Sequence, residues 1–278
     1  MTEHLSRADL DREYSPSSMA PQYISILRRY RDRSDAARRQ LKHFPDVSYG
    51  ASPSETLHFF PPASPGAPLH VFVHGGHWQE SSKEDSCFAA PGLVQAGAGF
   101  VALGYGLAPD RTLEDMVGSV RRGLRWLIDN STALGTRRDR IYASGSSAGA
   151  HLVAMALAHN VDDAPHLAGA ILLSGVYDLI PVQRSYVNGV VGMTPHSARV
   201  NSPVDRLPLR ARRIAVARGA VETAEYARQH EVFVRALRRA GQSCTDLVLA
   251  GRNHFDLPLD LGDPTTPVGR AVLDQMDL

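Results

Sequence analysis

Arg140-Ile141-Tyr142-Ala143-Ser144-Gly145-Ser146-Ser147-Ala148-Gly149-Ala150-His151-Leu152 is the stretch on which the fold turns. Arg140–Ala143 is a short run of the kind that lies inside a sheet, and a helix is expected from Ala148. Between them stands a Gly-x-Ser-x-Gly pattern. Alone it arises by chance, but between a strand and a helix it makes a turn so tight that Ser147 is held at its apex. Small residues at 148, 149 and 150 let the helix start close against the sheet. Its N-terminus then points at any negative charge that develops beside the serine oxygen.

Working outward, further short apolar runs occur at Leu69–Val73, Phe100–Gly104, Ala170–Leu173, Ile214–Ala217 and Leu247–Ala250. Most have Gly or Ser close by, as expected of strands buried on both faces. Amphipathic stretches alternate with them. In Leu113–Asp129, Met116, Val117, Val120, Leu124, Leu127 and Ile128 form one stripe, with Thr112 and Asp115 as an N-cap pair. Val232, Phe233, Ala236 and Leu237 do the same in Ala224–Ala240. The alternation predicts an α/β fold with a mainly parallel central sheet and helices on both faces.

Two segments stand outside that rhythm. Residues 1–48 read as a helical N-terminal segment, with Tyr23, Ile26, Leu27 and Tyr30 at helical spacing and Arg28, Arg29, Arg31 and Arg33 as a solvated face. A Pro/Gly/Ser-rich stretch, 51–68, follows. Residues 176–210 make a connection long enough to be functional. Both outlying segments are expected to form a small helical cap over the strand ends, where open α/β sheets bind ligands, within a single domain spanning 1–278.

A serine hydroxyl needs a base to attack at neutral pH. His254, in Gly251-Arg252-Asn253-His254-Phe255, is the one histidine of 12 with both the right order and the right loop. His151, on the helix after Ser147, reads as packing beside the turn. The carboxylate that orients the base should follow Ile214–Ala217, and the first one there is Glu222. Asp178, after the preceding run, is the strongest rival. Glu225 reads as solvated, and Asp256 lies so close to His254 that an unusual loop would be required. Gly75, Gly76 and His77, in His74-Gly75-Gly76-His77-Trp78, together with Ala148, offer backbone N–H groups for an oxyanion hole. Trp78, Tyr105 and Tyr177 fall on loops near the strand ends, where they either stack on an aryl group or pack the wall.

Composition narrows the class. The 278 residues carry 30 basic against 29 acidic side chains, a net charge of +1, which asks for neither nucleic acid nor an anionic membrane. Cys87 and Cys244 form no disulfide framework, the polar start lacks the apolar core of a signal peptide, and no run approaches a membrane span. A cytoplasmic protein is expected. His74 and His77 lack a third ligand at helical spacing, so no metal is expected, and no cofactor is implied. The expected partner is a small-molecule amide or ester, and association of two copies is left open.

Together these motifs resemble the kynurenine formamidase (arylformamidase) branch of the α/β-hydrolase superfamily, near the hormone-sensitive-lipase-like esterases. His74-Gly75-Gly76-His77-Trp78-Gln79 is similar to its HGGxW loop, Ser144–Leu152 to its nucleophile segment, and Leu173–Leu179 to the strand and loop that follow. Tyr14-Ser15-Pro16-Ser17 and Val47-Ser48-Tyr49-Gly50 also match. Two positions depart from the pattern: Glu222 stands where the family usually has aspartate, and Ser146 where it often has histidine. The resemblance implies a Ser147–His254–Glu222 hydrolase acting on N-formyl-L-kynurenine. A carboxylesterase or amidase of a secondary-metabolite or xenobiotic pathway, and a non-catalytic receptor on the same fold, are the alternatives.

Overall fold

In the computed structural model, which describes residues 5–158 and 164–278, the chain lays down β1 (Phe44–Ser48), β2 (Thr56–Phe60), β3 (Ala67–Val73), β4 (Gly99–Leu103), β5 (Thr136–Ser146), β6 (Leu167–Leu173), β7 (Ala211–Val221) and β8 (Thr245–Asn253). They form one sheet in the order β1-β2-β4-β3-β5-β6-β7-β8. From β4 to β8 all neighbours are parallel, while β1 and β2 join antiparallel. Every residue of β3, β4 and β6 is buried. Successive side chains of β3 feed opposite cores, Val71 and Val73 on one face and Phe72 on the other, which is why such strands read as continuous apolar runs rather than as an alternation.

The helices are α1 (Arg7–Glu13), α2 (Tyr23–Gln40), α3 (Ala90–Gln95), α4 (Leu113–Asp129), α5 (Ala148–Ala156), α6 (Ile180–Gln183), α7 (Asn188–Val191), α8 (Pro195–Val200), α9 (Ala224–Arg239) and α10 (Pro267–Met276). Buried side chains of α4, α5 and α9 share the core on one sheet face, and those of α2, α3 and α10 the core on the other. α4 starts with the expected capping box: Thr112 Oγ1 accepts from the Asp115 N–H at 3.2 Å, and Asp115 Oδ2 accepts from the Thr112 N–H at 3.1 Å. None of the helices among the described residues is long and apolar enough to cross a membrane.

The expected helical segment 1–48 is only partly helical. α2 ends at Gln40, and Phe44–Ser48 is strand β1. The position before Pro45 is forced out of the helical region, and the proline ring cannot continue a helix. The extended chain instead pairs with β2, Phe44 stacking on Phe59 at 5.9 Å. β2 itself lies inside the stretch read as a Pro/Gly/Ser-rich connection. Residues 176–210 carry α6, α7, α8 and a short 3-10 turn, and they touch the N-terminal segment. Arg184 Nη2 donates to the Leu5 carbonyl at 2.9 Å, and the Tyr186 N–H donates to Asp11 Oδ1 at 2.6 Å.

One polar pair crosses the middle of the sheet: His70 Nε2 on β3 and Ser144 Oγ on β5 are 2.7 Å apart, both fully buried. Burial pushes the His70 pKa down from 6.5 to about 3 and that of His151, on α5, to about 4. Both rings stay neutral in the folded protein while the unfolded chain protonates them, so their contribution is complete above about pH 6.5 and is lost as pH falls toward 4. Each histidine then removes about 1.4 kcal/mol per pH unit. Urea midpoints measured between about pH 7 and about pH 5 should therefore fall steeply, and replacing the pair (His70→Leu with Ser144→Ala) should flatten that fall by about one histidine's share. An unchanged slope in the double variant would show that His70 does not carry it.

Candidate active site

The site is built where β5 gives way to α5. Ser147 sits between them with φ 55° and ψ −118°, a left-handed conformation costly for a residue with a Cβ. Its N–H is tied to the Leu173 carbonyl on β6 at 2.8 Å. Two residues on, a Cβ at Gly149 would lie 2.1 Å from the Val73 carbonyl oxygen, so only glycine lets α5 press against the end of β3. A serine at a helix N-cap usually accepts a hydrogen bond from the first turn. Ser147 does not, and among the described residues its buried Oγ has no hydrogen-bond partner.

His254 follows β8 directly. Its loop is locked on both sides. Asn253 Oδ1 accepts from the N–H groups of Phe255 at 2.8 Å and Asp256 at 3.1 Å. Asp256 in turn accepts from the Asn253 backbone at 2.8 Å and side chain at 2.9 Å. From the other side, Tyr30 of α2 donates its hydroxyl to the Phe255 carbonyl, and Tyr23 packs on the Phe255 ring at 5.3 Å.

Glu222 comes from the turn after β7, with its side chain completely buried. Its Oε2 lies 3.3 Å from His254 Nδ1. The other oxygen, Oε1, accepts from Ser174 Oγ at 2.6 Å and from the Gly219 N–H at 2.7 Å. The rival carboxylates face elsewhere. Asp178 pairs with Arg228 at 3.1 Å, and Asp256 holds Asn253. Glu225 is not solvated as expected: it is buried, accepting from the Tyr14 hydroxyl at 2.8 Å and from Arg228 Nε at 2.9 Å. Of the carboxylates weighed, Glu222 is the one on the histidine.

The His74–Trp78 loop turns back on itself through positive φ at Gly76 (100°), His77 (47°) and Trp78 (63°). A Cβ at Gly76 would fall 2.3 Å from the Glu80 carbonyl oxygen. Among the described residues, the N–H groups of Gly75, Gly76, His77 and Ala148 make no hydrogen bond, which leaves them free for an external oxygen.

His77 and His74 do not converge on a common point. His77 Nε2 is 3.1 Å from the Tyr226 hydroxyl, while His74 stacks on Tyr105 at 4.4 Å. Burial holds the pKa of both down at about 4, with His254 a second cause for His77. The grouping of Asp46, His58 and Glu84 has the reach to hold a metal ion, but Lys83 Nζ already sits 2.9 Å from Asp46 and pairs with Glu84.

Tyr226 is a site residue that sequence reasoning did not single out. Its ring packs on His254 at 4.4 Å. Burial raises its phenol pKa and the facing Ser147 hydroxyl lowers it, although the two oxygens fall short of hydrogen-bond geometry. The signal available was its place in the first turn of α9, four residues after Glu222.

Ser147 and His254 open onto one cavity of about 400 Å³, with no hydrogen bond between them. Such contacts commonly tighten only when substrate binds. Trp78, Tyr105 and Tyr177 do not line this cavity, contrary to the aryl-stacking expectation. Trp78 is fully buried, its indole N–H donating to His151 Nδ1 at 3.2 Å; His151 Nε2 in turn donates to the Asn201 carbonyl at 2.8 Å. Tyr105 donates to the His74 carbonyl at 3.0 Å, and Tyr177 stacks on Phe233 at 3.8 Å. The wall comes instead from Phe72, Phe255 and α2, which contributes Ile24, Leu27, Tyr30 and two of the arginines read as solvated, Arg28 and Arg31.

Comparison with known proteins agrees with this architecture. A family profile described as BD-FAE matches residues 58–183. Kynurenine formamidase of Danio rerio is 34% identical, aligned over 93% of this chain and 92% of its own. That of Salmo salar is 32% identical, over 98% and 97%. Among solved structures, a Silicibacter protein provisionally called a thioesterase superposes with a TM-score of 0.85 at 22% identity, covering 95% of this chain and 98% of its own. The last likeness is one of fold, that of the α/β-hydrolases; the full-length matches go further, and by them this chain belongs to the kynurenine formamidase family.

Proposed function

We propose that this hydrolase cleaves the formamide of N-formyl-L-kynurenine to L-kynurenine and formate, with Ser147 as nucleophile, His254 as base and Glu222 as the carboxylate that orients it. The observation that carries the reading is the meeting of Ser147 and His254 in one cavity, with Glu222 on the far side of the imidazole. Ser147 Oγ attacks the formyl carbon while His254 Nε2 takes its proton. Glu222 keeps the Nδ1–H tautomer and stabilises the imidazolium. The oxyanion forms beside the N–H groups of Gly75, Gly76 and Ala148, with that of His77 close by. Collapse expels the aryl amine as it takes the proton from His254. A water molecule, deprotonated by His254, then frees formate from the formyl-serine.

Two features support a small acyl group. Ser147 is only 3% exposed, and Tyr226 stands over the histidine beside it. The free state of Cys87 and Cys244 supports a reducing compartment such as the cytoplasm. A second reading, an esterase or amidase with another acyl group, is favoured by Ser146, which lines the cavity in place of the family's frequent histidine. A smaller side chain there makes room.

The deciding assay compares kcat/KM for N-formyl-L-kynurenine and for a short-chain p-nitrophenyl ester. Efficient formamide cleavage is expected, falling at least ~10³-fold in Ser147→Ala; good ester turnover with a negligible formamide rate would move the assignment to the second reading. For the carboxylate, Glu222→Gln should lower kcat by on the order of 10³–10⁴ because the imidazole loses its tautomer and its counter-charge. Asp178→Asn should change kcat by less than about twofold, since its partner is Arg228. The reverse order in steady-state kinetics would transfer the role to Asp178.

A further inference from the structure

α2 turns one face to the cavity. Ile24, Leu27, Arg28 and Arg31 lie at i, i+3, i+4 and i+7 of a single helix, and all four line it. Ile24 and Leu27 are 54% and 41% exposed, so this apolar patch is not spent on the core. Arg31 is engaged with Asp85 at 3.5 Å. Arg28 has no ion pair or hydrogen bond among the described residues. Glu80, just past the His74–Trp78 loop, lines the same cavity, and its side chain is likewise without a partner among the described residues and exposed. An unpaired guanidinium and an unpaired carboxylate on the rim of one apolar cavity form a complement to a zwitterion with a flat apolar body.

We propose that this rim selects amino-acid substrates: Arg28 takes the α-carboxylate, Glu80 the α-ammonium, and Ile24 and Leu27 pack the body that joins them to the reacting carbonyl. Arg28 suits the carboxylate because its fork can bind both oxygens in a plane. The inference rests on the amino-acid substrate named above and adds the residues that would read its head group. It also gives a role to Arg28, which is exposed yet lines the cavity.

The test separates the two proposals by using L-kynurenine and kynuramine, which differ only in the α-carboxylate, as inhibitors of p-nitrophenyl acetate hydrolysis. That readout needs no formamide turnover. In the wild type, L-kynurenine should inhibit more strongly than kynuramine. In Arg28→Gln that preference should shrink about tenfold, the size of a partly solvated charge-assisted contact. Arg28→Lys should keep part of it, and Arg29→Gln, beside it but off the cavity, should keep all of it. For Glu80→Gln, L-kynurenine should lose its advantage over its deaminated analogue, 3-(2-aminobenzoyl)propionate.

Equal inhibition by L-kynurenine and kynuramine in the wild type, or an unchanged preference in Arg28→Gln, overturns the role of Arg28. An unchanged advantage in Glu80→Gln overturns that of Glu80. Failure of the wild type to hydrolyse N-formyl-L-kynurenine overturns the formamidase reading alone, because the inhibition series still decides which head group the rim binds.

Discussion

The approach of α5 to the end of β3 governs the geometry of the rest. With Gly149 against the Val73 carbonyl, the helix begins in direct contact with the end of the sheet. The chain can join β5 to α5 only through a residue with positive φ, and Ser147 takes that conformation with its N–H anchored on β6. The strain is sustained by neighbouring strands that are buried on both faces and do not shift. One consequence is a hydroxyl that cannot cap its own helix. Another is that the unpaired N–H groups of the first turn of α5 and of the loop after β3 emerge side by side, since β3 and β5 are paired neighbours.

The base is held by a different device. His254 gains its orientation from two directions, the Asn253–Asp256 lock within its own loop and Glu222 from the turn after β7. A glutamate reaches one methylene further than an aspartate, and a longer side chain is looser unless something fixes it. Here its second oxygen is fixed by Ser174 and by the Gly219 N–H, both outside the pair it serves. Ser174 itself holds a positive φ of 45° at the end of β6. The longer acid is thus matched by two donors that set where its carboxylate lies.

β3 to β7 and the serine turn were legible in the sequence because burial on both faces leaves an apolar run, and because strand, Gly-x-Ser-x-Gly and helix occur in unbroken succession. β8 was found by its apolar run too, but it is the edge of the sheet and mostly exposed, Val248 at 51%, rather than buried on both faces as expected. β1 and β2 were not, since Pro45 and the loop-forming residues around them hide a short edge pairing that only the partner strand reveals. Glu222 and Asp178 could be ranked but not separated, because both follow a strand and the contact that distinguishes them is made across the sheet. Of the three aromatic residues whose role the sequence left open, Trp78 lies away from the cavity for a physical reason: the positive φ values at His77 and Trp78 accompany an indole turned inward, where His151 meets it. The arginines of α2 looked like any charged helix surface, and what decides their meaning is the cavity that the helix happens to face.

α2 has a second attachment that bears on how such a protein diverges. The helix that supplies one wall of the cavity also holds the loop of His254, through the Tyr30 hydroxyl on the Phe255 carbonyl and Tyr23 on the Phe255 ring. Selectivity and turnover are therefore not separately inherited traits here. A drift in the α2 residues that line the cavity bears on the histidine as well as on the substrate, unless Tyr23 and Tyr30 stay in register. Lineages that broaden the cavity are accordingly expected to do so at lining residues outside α2, such as Ser146 and Glu80.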